Sequence, residues 1–456
     1  MVEMTQTNHD NIQKIINALD SQKARLFREE YLELHIYEQA QIFRDLNEQQ
    51  RARVYRYLKP EEVGDMFDAM DQDPEEVIHY LEEMTMAYAA AVINGMYTDN
   101  AVDVLAYAKK EDLLGYLRLL PAKTAAEIKR MLHYEDKTAG SIMSTEYVAI
   151  NGNQTLASAM EAIKVAAKTA ETIYYVYVID ESEKLVGVVT LRDMLRNDDQ
   201  AMVKDVMNMQ VMAVKVDDDQ KDVAQTIRDY NFLAIPVTDY NHKLIGIINV
   251  DDIIDVIDEE SVEDYSGLAG VDLEQTTENP WQAAFKRLPW LVTLLILGMS
   301  TTTLISHYEE LVSQASILAV FISSITGTAG NAGTQSLATA VRRLAFKDED
   351  KKNIWQLLLT ELITGIILGI ITGFVIFVIV GFWKHNFVLG FVIGFAMMCA
   401  IVVANLAGAF IPMFMDKIGV DPAVASGPFI STLSDLTSVL IYFSIARIFL
   451  SFFVGQ

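Results

Sequence analysis

From Pro289 onward the chain breaks into five apolar stretches, at about 286–306, 311–340, 354–383, 387–413 and 423–453. Each is close to or above the ~20 residues that a helix needs to cross ~30 Å of hydrocarbon. What precedes them has the opposite character. From residue 281 onward there are 10 Lys/Arg and 9 Asp/Glu; subtracting these from the chain's 36 and 62 leaves 26 and 53 in the first 280 residues, a net charge of −27. The chain therefore reads as an acidic soluble module followed by a membrane domain, too long and too divided for one core. A charge of −27 repels phosphate backbones, so nucleic acid is not an expected partner, whereas cations are. The single cysteine, Cys399, lies inside an apolar run, which leaves no disulfide framework and no cysteine-based zinc site. The N-terminus MVEMTQTNHD has no apolar core and does not read as a signal peptide, so the acidic module is expected in the cytosol.

The positive charges between the apolar stretches set the orientation. Lys286 and Arg287 precede the first; Arg342, Arg343, Lys347, Lys351 and Lys352 lie between the second and third, and Lys417 between the fourth and fifth. Glu309, Glu310 and a lone Lys384 mark the other side. This predicts a multi-pass protein of the cell membrane, in contact with lipid, with its N-terminus cytoplasmic and Gln456 outside.

Polar residues inside such stretches are costly, and each needs a reason. Asp435 stands within Gly427-Pro428-Phe429-Ile430-Ser431-Thr432-Leu433-Ser434-Asp435 with no Lys or Arg near enough in sequence to neutralise it. It is either a buried structural acid, hydrogen-bonded to Ser431 or Thr432, or a pore carboxylate that binds a cation. The second stretch carries Gly327-Thr328-Ala329-Gly330-Asn331-Ala332-Gly333-Thr334-Gln335-Ser336, with glycines every three residues and Asn331 and Gln335 on one helical face. The glycines serve a close helix crossing or let the helix unwind. Gly365, Gly369 and Gly373, like Gly390 and Gly394, read as helix-packing grooves, and Glu361 and Asn405 stay open between structure and ion path.

Within residues 137–260 a repeat is visible. Ser141-Ile142-Met143 corresponds to Asp205-Val206-Met207, and Lys184-Leu185-Val186-Gly187-Val188-Val189-Thr190-Leu191-Arg192-Asp193 to Lys243-Leu244-Ile245-Gly246-Ile247-Ile248-Asn249-Val250-Asp251-Asp252. Each copy predicts a strand, an amphipathic helix, two short apolar strands around a turn, and a helix. This resembles a tandem pair of CBS domains. In such domains the Thr and Asp of the second line hold an adenosine nucleotide such as ATP; the resemblance implies one such site at Thr190 and Asp193, with Asn249 replacing the hydroxyl in the second copy. A folded pair without nucleotide is the alternative.

Residues 1–135 show apolar positions at helical spacing, punctuated by Lys59-Pro60-Glu61-Glu62 and Asp71-Gln72-Asp73-Pro74, which suggests a superhelical stack of short helices. No HExxH, Walker or G-x-S-x-G pattern occurs, so no enzyme activity is expected. After the repeat, Asp251, Asp252, Asp255, Asp258, Glu259, Glu260, Glu263 and Asp264 place eight carboxylates in fourteen residues. Like charges at i,i+4 on a helix oppose one another by a few tenths of a kcal/mol. The run is either a solvated linker face or a set of oxygen ligands for a hard divalent cation.

The order of helical stack, CBS pair, acidic connecting helix and five-span membrane domain resembles the MgtE family of Mg²⁺ channels and transporters, most specifically at Gly330-Asn331-Ala332-Gly333-Thr334-Gln335 and from Gly427-Pro428-Phe429 to Asp435. The resemblance implies a multidomain fold: an α-helical superhelix over 1–136, an α/β tandem CBS pair over 137–257, an acidic plug helix over 258–280 and an all-α five-span pore domain over 281–456. It implies a homodimer whose second and fifth spans line the pore, with Asp435 holding hydrated Mg²⁺ and Asn331, Gln335 and Thr432 beside it. It further implies closure by cytosolic Mg²⁺ at Asp99, Asp103, the Gly140 carbonyl, Asp219, Asp252, Asp255, Glu260, Glu263, Asp264 and Asp421. Ser323 departs from the family pattern, where a proline is expected. The absence of histidine from the apolar cores independently favours a hard cation over zinc or copper. Two other functions fit the residues: a secondary transporter coupling a cation to Na⁺ or H⁺ through Asp435, and a membrane-anchored nucleotide sensor.

Overall fold

The apolar-periodic segments of the first 131 residues form ten helices: α1 (Gln6–Asp20), α2 (Ala24–Leu32), α3 (Ile36–Arg44), α4 (Glu48–Tyr57), α5 (Pro60–Asp68), α6 (Pro74–Glu82), α7 (Met86–Ile93), α8 (Thr98–Ala106), α9 (Lys110–Leu119) and α10 (Ala122–Met131). The computed structural model describes residues 6–70, 73–271, 279–345, 354–418, 422 and 425–449. The polar turns are helix starts. Pro60 and Pro74 take the first position of α5 and α6, where a missing N–H costs nothing, and Asn47 and Gln50 form a reciprocal cap on α4. Asp71 and Gln72 lie outside the described residues. Each helix is too short to bury its apolar face alone, and it packs on the helix two places along: α3 on α5, α5 on α7, α7 on α9, α6 on α8, and α8 on α10. This is the superhelical stack expected from the pattern, with Phe27, Phe43, Phe67 and Leu81 fully buried in it.

The repeat folds as two matching sheets. β1 (Ala149–Asn151) runs parallel to β2 (Tyr175–Ile179), which pairs antiparallel with β3 (Leu185–Thr190); β4 (Val214–Lys215), β5 (Ala234–Thr238) and β6 (Leu244–Asn249) repeat that order, each copy with a register shift at the same place. Helices α11 (Leu156–Ala166), α12 (Leu191–Arg196), α13 (Val203–Val206) and α14 (Gln220–Tyr230) complete it. The corresponding Met and Gly of the two copies interlock. A Cβ on Gly246 would meet Met143 Sδ at 2.6 Å, and one on Gly187 would meet Met207 Sδ at 2.5 Å. Each glycine thus accepts a thioether from a segment of the other copy. The second copy shares one core with the helical stack, through Val214, Val223, Ile235 and Ile248, while the first has its own around Val176, Val178 and Val189.

The helix after β6, α15 (Val250–Ala269), carries the acidic run and crosses the division of the chain into two compact units, Met1–Asp258 and Glu259–Gln456. The second unit is helical: α16 (Pro280–His307), α17 (Glu309–Gln314), a 3₁₀ turn (Ser316–Phe321), α18 (Ile322–Ala345), α19 (Ile354–Trp383), α20 (Phe387–Lys417) and α21 (Gly427–Ile448). Four of these, α16, α19, α20 and α21, are long and apolar enough to cross a membrane. The expected span at 311–340 is instead divided. Its 24-residue helix α18 has sufficient length, but its Ser, Thr, Gly, Asn and Gln keep it out of that apolar set. Helix α20 is the buried centre, packed by α18, α19 and α21, whereas α16 buries none of its residues. The glycines of α19 and α20 meet as expected, a Cβ on Gly373 falling 2.6 Å from the Gly394 carbonyl oxygen.

Candidate functional site

The first candidate site lies in the soluble unit, where β6 turns into α15. In the first copy of the repeat Thr190 caps α12: its hydroxyl donates to Asp193 Oδ2 at 2.6 Å and accepts from the Asp193 N–H at 3.1 Å. In the second copy the Asn249 N–H donates to Asp252 Oδ2 at 3.1 Å, while the amide of Asn249, only 4% exposed, makes no hydrogen bond of ordinary geometry and lies beside the Glu171 carboxylate, whose charged form it favours. This cap turns Asp251 and Asp252 toward Glu171, and carboxylate oxygens of the three lie within 4.8 Å of one another. Glu171 Oε2 is also buried without a partner.

Asp99 adds to this charge. It is 6% exposed on α8, and burial followed by the charges of Asp252 and Glu171 pushes its carboxyl well above the usual range. Burial, then Glu171 and Asp251, raises Asp252 to about 8, and burial with the Asp251 and Glu146 charges raises Glu171. Asp68 accepts the Tyr97 N–H at 3.1 Å and the Asn100 amide at 3.1 Å, and burial takes it to about 8. Glu146 accepts from the Thr98 hydroxyl at 2.5 Å and the Ser144 hydroxyl at 3.0 Å, tying α8 to the segment before β1. Among the described residues no Lys or Arg forms an ion pair with Glu171, Asp251, Asp252 or Asp99. Three converging carboxylates, with no cation paired to them, are the oxygen donor set that a hard divalent ion takes.

Of the expected regulatory residues, Asp99 and Asp252 come together here. Asp103 is exposed one turn further along α8, and Asp255 one turn beyond Asp251 on α15. Asp219 caps α14, accepting the Lys221 N–H at 2.8 Å, and the Gly140 N–H donates to the Val216 carbonyl at 2.8 Å. Glu260, Glu263 and Asp264 lie in the part of α15 that belongs to the membrane unit, and Asp421 lies outside the described residues. Sequence reasoning missed Glu171, Glu146 and Asp68 as members of the cluster. Each is a single acid in a loop or at a helix end, with no spacing that points to its neighbours.

The second candidate site is the crossing of α18 and α21. Here α18 stays helical through its glycines and uses them for close approach: a Cβ on Gly330 would lie 2.8 Å from Ser431 Oγ, and one on Gly333 3.0 Å from Ser434 Oγ. Asp435, half-buried, follows Ser434, and Asn331 follows Gly330. Asn331 and Gln335 share an exposed face of α18. The Thr432 hydroxyl donates to the Pro428 carbonyl at 2.8 Å, so its proton is engaged within the helix. Glu361 and Asn405 belong to a different arrangement: Ser336 Oγ and Asn405 Nδ2 donate to Glu361 Oε2 at 3.0 and 3.1 Å, pinning α18, α19 and α20 together.

The whole chain matches known proteins in the same order of parts. The family model described as divalent cation transporter, MgtE, matches residues 322–445; that of the MgtE intracellular N domain matches 34–137, and CBS domain models match 139–199 and 203–259. The magnesium transporter MgtE of Enterococcus faecalis is 60% identical over 96% of this chain and 97% of its own length. The chain belongs to the MgtE family. Its similarity to the Bacillus subtilis magnesium transporter MgtE is 36% identity over 97% of this chain and 98% of that one. Among MgtE structures, the soluble part of a magnesium transporter superposes with a TM-score of 0.54 at 52% identity, covering 56% of this chain and 99% of that one. The cytosolic domain of the Mg²⁺ channel MgtE, in complex with ATP, superposes with a TM-score of 0.50 at 32% identity, covering 54% and 99%.

Proposed function

We propose that this chain carries Mg²⁺ across the membrane through a path lined by α18 and α21, and that cytosolic Mg²⁺ closes it. The observation that carries the reading is Asp435: a carboxylate on an apolar helix, with no Lys or Arg partner among the described residues, beside a helix crossing whose other member presents Asn331 and Gln335. Uncompensated charge at that depth is expensive and is retained where an ion passes. The MgtE relatives named as magnesium transporters span the chain end to end, which supports Mg²⁺ as substrate.

Five spans, with α18 as the second, give a cytoplasmic N-terminus and an outer C-terminus. The polar face of α18 is unfavourable against lipid, and a second copy facing it across a two-fold axis would enclose it; the functional unit is then a homodimer. Regulatory Mg²⁺ binds Glu171, Asp251 and Asp252, relieving repulsion that the empty cluster suffers. It can favour the closed state only by binding that state more tightly. Helix α15 starts at this cluster and continues toward the first apolar helix, which makes it the natural carrier of the signal. An adenosine nucleotide at Thr190 and Asp193 is a further expectation, supported by the ATP complex of the related cytosolic domain. The test is Mg²⁺ influx into proteoliposomes. Influx that is saturable, suppressed by Mg²⁺ on the cytoplasmic side and absent in Asp435→Asn supports the reading; influx that survives this substitution moves the ion path elsewhere.

A further inference from the structure

A cavity of about 350 Å³ opens between α10 of the helical stack and the strand-turn ends of the CBS pair, within the soluble unit. Its lining carries Lys123, Arg130 and Lys243 against Glu127 and Glu183, a net positive wall in a module whose charge is strongly negative. Lys123 and Arg130 enter it from α10, and Lys243 from the turn before β6. Two of these cations are already matched, Lys123 by Glu127 at 3.8 Å and Lys243 by Glu183. Arg130 has no ion pair among the described residues.

The rest of the wall is suited to an organic body rather than to a bare ion. The Tyr147 ring faces the cavity while its hydroxyl donates to the Leu244 carbonyl at 3.2 Å, and Ile179 and Ile245 supply apolar surface. A volume near 350 Å³ is at the small end of ligand pockets. The cavity is also separate from the Thr190–Asp193 cap, which stands at the opposite end of β3 from the Glu183 turn.

We infer that this cavity binds a small organic phosphate, with Arg130 gripping the phosphate and Lys123 and Lys243 beside it. An unpaired guanidinium offers the planar fork that fits a phosphate bidentately, and binding would neutralise the one uncompensated cation of the wall. The apolar side takes the carbon skeleton of the ligand. This holds whether or not the chain carries Mg²⁺.

The experiment is calorimetric titration of the full chain in detergent with ribose 5-phosphate, with ribose and inorganic phosphate as separate arms. Wild type is expected to bind ribose 5-phosphate saturably and more tightly than inorganic phosphate, and not to bind ribose. Arg130→Gln, an exposed change on α10, should weaken binding about tenfold or more, while Lys129→Gln, the neighbouring exposed cation outside the cavity lining, leaves it unchanged. Equal binding in Arg130→Gln, loss of binding in Lys129→Gln, or no saturable binding by wild type would each overturn the assignment. Mg²⁺ influx plays no part in this readout, so failure here leaves the transport reading intact.

Discussion

In the membrane unit Glu361 is buried with two donors, Ser336 Oγ and Asn405 Nδ2, on a single carboxylate oxygen. In the soluble unit Glu171, Asp251 and Asp252 are drawn within 4.8 Å, and Glu171 Oε2 and the Asn249 amide are buried with no hydrogen bond of ordinary geometry. The first carboxylate is a fastening: Ser336 and Asn405 both donate to it, and it holds three helices. The second arrangement is costly as it stands, because like charges share a partly desolvated space. The contrast is between a carboxylate whose neighbours supply donors and a set whose neighbours supply like charge. Asp435, half-buried at the α18–α21 crossing with no Lys or Arg partner among the described residues, is proposed to belong with the second kind.

The largest expected effect tests that placement. Asp435→Asn keeps size and hydrogen-bonding capacity but removes charge, and Mg²⁺ influx into proteoliposomes should fall to background, while Glu361→Gln, whose amide oxygen can still accept from Ser336 and Asn405, retains influx. The reverse outcome would exchange the roles of the two carboxylates.

Next in size is the strain in the acidic cluster. A carboxyl whose folded pKa is raised binds more protons folded than unfolded, so its contribution to stability falls as pH rises from the unfolded value near 4 through the folded value. Asp252 and Asp68 reach about 8, which places the loss between pH 4 and pH 8. Without divalent cations the protection of α8 amides against hydrogen exchange in the full chain should therefore decline across that window, and Mg²⁺ should restore it. Asp252→Asn should raise the metal-free protection at pH 8 by on the order of 2–4 kcal/mol and remove most of the Mg²⁺ effect. Protection that is flat with pH and indifferent to Mg²⁺ would show that the cluster is neither strained nor a cation site. A smaller effect, about 1–3 kcal/mol of lost stability, is expected for Glu361→Ala, which removes the carboxylate joining Ser336 and Asn405 and leaves them only the Asn405 and Glu361 backbone carbonyls, at 2.8 and 3.4 Å; thermal unfolding in bicelles measures it.

Much of the frame was legible in sequence because its periods are strong. Alternating apolar residues, the repeated Gly-apolar-apolar line and the Pro-marked helix starts each have a local cause that survives folding. Helix α18 was legible only in part: residues 311–340 read as one apolar stretch, but polar residues spaced along it serve a helix crossing, and a short helix and a 3₁₀ turn precede it. The acidic run of α15 pointed to cations, yet the partner that makes a site of Asp251 and Asp252 is Glu171, eighty residues earlier in the loop after α11. No pattern links them; the parallel pairing of β1 with β2 and the cap at Asn249 do. The Met143 and Met207 correspondence was visible as a repeat, but its reason, a thioether lodged on each facing glycine, needed three dimensions.

The smallest predicted effect sharpens the question of what covers α18. Gly327 and Gly330 are one turn apart on the same helix, yet a Cβ on Gly330 meets Ser431 Oγ at 2.8 Å and one on Gly327 meets nothing within 4 Å. Gly330→Ala must push α21 away or turn Ser431, an overpacking cost of about 1–3 kcal/mol. Gly327→Ala in a lone protomer surrounded by lipid should instead stabilise the helix by up to about 1 kcal/mol, since alanine is the better helix former. If a second copy packs against this face, as the homodimer proposal requires, the added methyl falls at a tight crossing and the sign reverses. Thermal unfolding of both variants, with cross-linked dimer yield measured in parallel, distinguishes the cases. Stabilisation by Gly327→Ala with unchanged dimer yield would place the interface on another face, whereas destabilisation with a lower dimer yield would place the second copy against the polar stripe of Asn331 and Gln335.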